Sequence, residues 1–171
     1  TITADESLAT EGMRNYLKHF RKSIGSLPVG REPVSFPEKE HHMTQQEQIW
    51  QDVMELANRP GTFTHGLGLH VTGIGDGWAE GELTAGDGML NPLGIVHGGV
   101  YAAMMDHVAG TAACSRGSTC RTVNYDLHYL APAQPGLLRC RAESVRMGQQ
   151  IVVMQVWVED TQGVRCAEGC Y

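Results

Sequence analysis

Between His97 and Ser115 the chain carries no Lys, no Arg and one acid, Asp106. A carboxylate in an apolar helix is costly unless it is paired or put to use. The ordinary partner would be a backbone group or a nearby hydroxyl such as Tyr101 or Thr111. Eight positions earlier, Gly98 and Gly99 open the same stretch. The first amides of a helix have no internal partner, and no Ser, Thr or Asp stands at the expected N-cap to take them. Free N–H groups there can stabilise negative charge on an oxygen, and glycine places no side chain in the way. Two glycines also suit a sharp loop-to-helix turn with no further role. Asn91 can donate to a bound carbonyl or orient a water, or simply cap its own turn before Pro92. His97 shapes the turn and hydrogen-bonds near the site. His107 lies about 100° around the helix from Asp106, a structural position.

Other chemistries find little support. There is no G-x-S-x-G elbow. "GIGDG" is not followed by a helical pattern and lacks the dinucleotide spacing. His65 and His70 would face opposite sides of a strand, so no metal site is expected. The five cysteines, Cys114, Cys120, Cys140, Cys166 and Cys170, form no C-x-x-C. They read as reduced thiols, mostly small core residues, in a cytoplasmic protein. A net charge of −6 disfavours nucleic acid as a partner. The longest apolar run has Asp106 and His107 at its centre, so no membrane span is expected. With 42% hydrophobic residues the chain can bury a core.

The elements that must position these residues are legible in outline. Residues 1–42 read as an extension: a helix over about Asp5–Ile24, with Met13, Tyr16, Leu17, Phe20 and Ile24 as its apolar stripe, then a linker containing Pro28, Pro33 and Pro37. Met43 is a candidate start for the main domain, 43–171. Thr44 and Glu47 make a capping box before an amphipathic helix carrying Ile49, Trp50, Val53, Met54 and Ala57, which Pro60-Gly61 ends. From Phe63 onward strands are expected. "LGLHVTGIGDGWAEGELTA" is a hairpin about Gly75–Gly77. After the apolar helix come four strand signals: "TVNYDLHYL", "GLLRCRAESVR", "QIVVMQVWVED" and "VRCAEGCY". The third is apolar on both faces, as a central strand would be. The helix has no polar face to offer water, so an antiparallel sheet must wrap around it. The class is α+β.

The pattern Asn91, Gly94, His97-Gly98-Gly99 and Asp106, with "TVNYDLHYLAPAQPG" and "VRMGQQ" downstream, resembles the hotdog-fold acyl-CoA thioesterases, most nearly the phenylacetyl-CoA/4-hydroxybenzoyl-CoA type. The resemblance covers roughly 45–171. Many relatives carry a basic residue where this chain has Ala131. The resemblance implies hydrolysis of a CoA thioester to CoA and a carboxylic acid. Asp106 would be general base or nucleophile, Gly98 the oxyanion donor, and Asn91 and His97 further site residues, with Gly99 and Arg146 touching substrate. It implies no metal or cofactor, CoA being part of the substrate, and self-association as a dimer or dimer of dimers. Arg116, Arg121, Arg139 and Arg141 are further candidates for the CoA phosphates, though solvated strand positions account for most of them. The alternative on the same fold is a non-catalytic acyl-CoA-binding module or ligand sensor. A dehydratase would resemble a different Asp/His pattern.

Overall fold

The computed structural model describes residues 43–171. The expected first helix and Pro-containing linker lie outside the described residues. Helix α1 (Gln45–Ala57) begins at the expected capping box, with Thr44 Oγ1 accepting from the Glu47 amide and the Glu47 side chain accepting from Thr44. A single turn of helix, α2 (Phe63–Gly66), stands where strand was expected. Thr62 is the cause. Its hydroxyl accepts from the His65 amide and donates to the Arg59 carbonyl, which closes a helical turn and delays β1 to His70–Gly75. Strand β2 (Trp78–Ala85) completes the hairpin. A short 3₁₀ turn, Asp87–Met89, leads to the loop before α3 (Gly98–Ala113). Then follow β3 (Asp126–Tyr129), β4 (Gly136–Met147), β5 (Val152–Glu159) and β6 (Arg165–Cys170).

All neighbouring strands pair antiparallel, in the order β1-β2-β4-β5-β6-β3. The sheet curls around α3, the hotdog arrangement. Leu83, Leu138, Cys140, Ala142, Met154, Val156 and Val158 alternate onto its inner face. They meet Val100, Met104, Met105, Val108 and Ala112 of the helix. Burying each Met or Val of this set contributes roughly 1.5–3 kcal/mol. The outer face is wet and charged, as an antiparallel sheet permits. Glu80 stands opposite Arg141 and Glu82 opposite Arg139, and both pairs form ion pairs.

One joint fastens the C-terminal end of α3. Ser115 is fully buried. Its Oγ accepts from the Gly77 amide at 2.9 Å, and its carbonyl accepts from Gln46 Nε2 at 2.8 Å and Trp50 Nε1 at 3.0 Å. Hairpin, α1 and α3 therefore meet at one residue. Gly77 is required there: its φ is +75°, and a Cβ would lie 2.4 Å from Ser144 Oγ.

The strand expected over 122–130 is shorter than its sequence pattern. β3 pairs with β6 only from Asp126, opposite Cys170, to Tyr129, opposite Ala167. Residues 118–125 are exposed and extend beyond that register. The alternation itself is present. Tyr125 stacks on Tyr171 at 5.0 Å and Tyr129 tilts against Tyr101 at 6.2 Å, with Leu127 half-buried between them.

Candidate active site

The loop before α3 is pinned at four points. Asn91 Oδ1 accepts from the Leu93 amide at 2.9 Å and from the Ile95 amide at 3.4 Å. Gly94, at φ +77°, lets the chain reverse. The Val96 amide donates to Ala133 O and the His97 amide to Met89 O. The turn-capping role of Asn91 is thus real, and it spends the side-chain oxygen. Among the described residues the Asn91 Nδ2 donor has no partner, so it can still meet a ligand.

His97 is the N-cap of α3, and here one expectation is corrected. The helix amides were expected to lack a side-chain acceptor. His97 Nδ1 accepts from the Gly99 amide at 2.9 Å. The Gly99 N–H is therefore taken, and Gly99 cannot offer it to substrate in this arrangement. An accepting Nδ1 leaves the proton of the neutral ring on Nε2, so Nδ1 serves as a cap. The Gly98 amide has no acceptor among the described residues. It is the one donor at this helix end that can receive an oxyanion.

Tyr129 completes this end, and the sequence reading missed it. Its hydroxyl donates to Gly98 O at 3.3 Å. A Cβ on Gly98 would lie 3.0 Å from its ring. The Gly98–Gly99 peptide is thus held at its oxygen by Tyr129 and at its N–H by His97. No spacing rule links positions 98 and 129.

Asp106 answers differently from its sequence context. It is exposed, on the side of α3 that the sheet leaves bare, in line with Gly99, Ala102, Ala103 and Gly110. Neither expected partner holds it: Tyr101 accepts from the Ala133 amide, and Thr111 donates to His107 O. Thr122 Oγ1 donates to Asp106 Oδ1 at 2.6 Å instead. His107 is structural as expected, its Nε2 lying 3.1 Å from Ala57 O and tying α1 to α3. Burial holds its pKa below the usual imidazole value, against the opposing pull of the Ala57 carbonyl and of Asp106.

Arg146 does not join the cluster within one chain. β4 starts beside Ala85, near the Gly98 end, and Arg146 lies two residues beyond Ser144, whose amide donates to Gly77 O beside Ser115. That is the opposite end of α3. Arg116 is paired with Asp76, Arg139 with Glu82, and Arg141 with Glu80 and Glu143. Arg121 and Arg146 have no carboxylate partner among the described residues.

The sequence profile of the thioesterase superfamily matches residues 93–167, which span α3, β3, β4, β5 and the first half of β6. The crystal structure of AziG from S. sahachiroi is 31% identical, covering 66% of this chain and 94% of that one, with a TM-score of 0.62. The chain belongs to the thioesterase superfamily. This thioester hydrolase is also similar to the proofreading thioesterase EntH of Cronobacter turicensis, at 28% identity over 69% of this chain and 91% of that protein. The 1,4-dihydroxy-2-naphthoyl-CoA hydrolase of Listeria monocytogenes is 25% identical over 61% of this chain and 88% of its own length. No described helix of the thioesterase is long and apolar enough to cross a membrane.

Proposed function

We propose that this thioesterase hydrolyses an acyl-CoA, with the Gly98 N–H as oxyanion donor and Asp106 as general base or nucleophile. The observation that carries the reading is the pairing of an uncommitted helix-terminal amide with a carboxylate on a bare helix face. The name of the Listeria relative supports a CoA thioester as the substrate class. Asn91 would donate to the thioester carbonyl or hold water through its free Nδ2. His97 and Tyr129 would keep the Gly98–Gly99 peptide in place. Thr122 would orient Asp106.

The spacing argues for two copies. Gly98 and Asp106 lie roughly 12 Å apart along one helix at about 1.5 Å per residue. An oxyanion donor and a base must both lie about 3 Å from one reacting centre or its water. Two α3 helices packed antiparallel through their bare faces would bring Gly98 of one copy to Asp106 of the second. The same packing would carry Arg121 and Arg146 of the second copy toward the Gly98 end, where CoA phosphates could meet them. A stripe of Gly99, Ala102 and Ala103 suits close helix approach.

Two inactive variants test the shared site. Asp106→Asn removes the base, and Gly98→Pro removes the amide at the first helical position, where Pro is accepted. The exposed Tyr129 ring can move aside for the added atoms. Chains mixing at random should form one mixed dimer in two, each with one intact site, so about a quarter of wild-type turnover should return. Purified mixed dimers as inactive as both parents, with Gly98→Pro shown to be folded, would rule the shared site out. Thiol release from a panel of aryl and alkyl CoA thioesters identifies the acyl group.

A further inference from the structure

Two thiols lie together at the C-terminal end of α3, outside the machinery assigned above. Cys114 Sγ donates to Cys120 Sγ at 3.5 Å. Cys120 is exposed, and its sulfur also lies 3.4 Å from Gly110 O, one turn earlier on the helix. The segment packs directly on this turn of α3: a Cβ on Gly110 would lie in ordinary contact with that sulfur, at 3.9 Å. Two residues further on, Thr122 reaches Asp106. Residues 120–122 therefore run back along α3, from the turn of Cys114 and Gly110 to the turn of Asp106.

We propose that Cys114 and Cys120 are an oxidation site, a dithiol that hydrogen peroxide converts to an intrachain disulfide, and that this bond controls Asp106 by drawing Thr122 away from it. The control of turnover rests on the reading of Asp106 as the catalytic carboxylate. Formation of the bond does not.

The chemistry balances. The Cys120 thiolate attacks one peroxide oxygen, giving a sulfenic acid and hydroxide. The Cys114 sulfur then attacks the sulfenic sulfur, the S–S bond forms and water leaves. Two thiols are oxidised and one peroxide is reduced to two waters. The hydrogen bond from Cys114 holds the Cys120 thiol down to about 7, against burial and the Asp106 charge. The same contact makes Cys120, the exposed residue of the two, the one that more readily forms the attacking thiolate. The same contact and burial push Cys114 upward, fitting it to the second, resolving step. The sulfurs must close from 3.5 Å to about 2.05 Å. That shift is large against the 2.6 Å contact between Thr122 and Asp106.

The test uses the full chain. Arg116 and Arg121 separate the two cysteines from each other and from Thr122. Trypsin therefore places Cys120 on the peptide 117–121 and Cys114 on the peptide ending at Arg116. After peroxide treatment and blocking of remaining thiols, mass spectrometry without reductant should find these two peptides joined. Cys114→Ser and Cys120→Ser should abolish the link while keeping basal turnover. Turnover of the wild type should fall about tenfold and return with dithiothreitol, within the roughly hundredfold that a 1 Å misplacement can cost. Turnover of Cys120→Ser should ignore peroxide. Unlinked peptides, whether blocked at both thiols or carrying a Cys120 sulfinic acid, would overturn the oxidation site. A formed link with unchanged turnover would overturn the control of Asp106. If the reduced protein cleaves no thioester, the thioesterase reading fails, and the peptide link still decides the dithiol.

Discussion

On the sheet side of α3, Met104, Met105 and Val108 are wholly buried; on the other side Ala102 and Ala103 are half-covered and Asp106 is exposed. The same helix thus serves two purposes on two faces. The covered face must fill a close-packed interior, where one lost methylene is felt. The bare face is less constrained by the described residues, touched by Thr122 and Cys120, and it carries Asp106 and the helix-terminal amide. Substitutions on the first face should therefore change stability and leave chemistry alone, with the reverse on the second.

The largest separation should come from Asp106→Asn. Turnover should fall by about 10²–10⁴-fold, the range for a positioned acid or base. The unfolding midpoint should hardly move, because an exposed side chain is worth within about 0.5 kcal/mol. Thiol release and urea unfolding on the same sample check both halves, and near-normal turnover would remove Asp106 from the mechanism. Met104→Ala is the mirror image. It should cost about 2–5 kcal/mol in urea unfolding, while the protein that stays folded turns over normally. A parallel loss of specific activity would show that the two faces are not independent.

Smaller effects sharpen the division. Ser115→Ala leaves the Gly77 amide without its acceptor, for a cost of about 1–3 kcal/mol in unfolding free energy and no change in KM. Thr122→Val should lower kcat about tenfold, the worth of a hydrogen bond to a charged group, with KM unchanged. A change in KM alone would reassign Thr122 to substrate binding. The smallest effect concerns His107, which lies between the faces. Its folded pKa is below the unfolded value of about 6.5. Between those two pKa values the unfolded chain binds the extra proton, so stability rises with pH. The contribution is complete above the unfolded pKa and is lost as pH falls through the folded one. Melting temperature against pH should show this slope, and His107→Gln should flatten it.

What could be read in advance was local. The capping box at Thr44 and Glu47, the hairpin about Gly77, the helix α3 and the turn held by Asn91 all depend on residues within a few positions of one another. Periodicity and turn chemistry describe such neighbours directly. Strand alternation was also visible in "TVNYDLHYL", although pairing shortened the strand to Asp126–Tyr129 because β6 meets only that part. The helical turn at Phe63–Gly66 was missed because the Thr62 hydroxyl links to both Arg59 and His65, which outweighed the strand-like composition.

The sequence by itself determined that this chain has one apolar helix with a single acid, opened by two glycines, among antiparallel strands. It could not say which way the acid points. A helix that is apolar all round reads as buried all round, and only the sheet, by covering one side, decided that Asp106 stays accessible. The partners of the site come from far along the chain: Thr122 is 16 residues from Asp106, and Tyr129 is 31 from Gly98. Cys114 and Cys120, six positions apart, meet because the segment after α3 folds back along the helix and packs against Gly110. Chain closure over such distances is set by how the whole sheet packs, which no window of neighbouring residues contains.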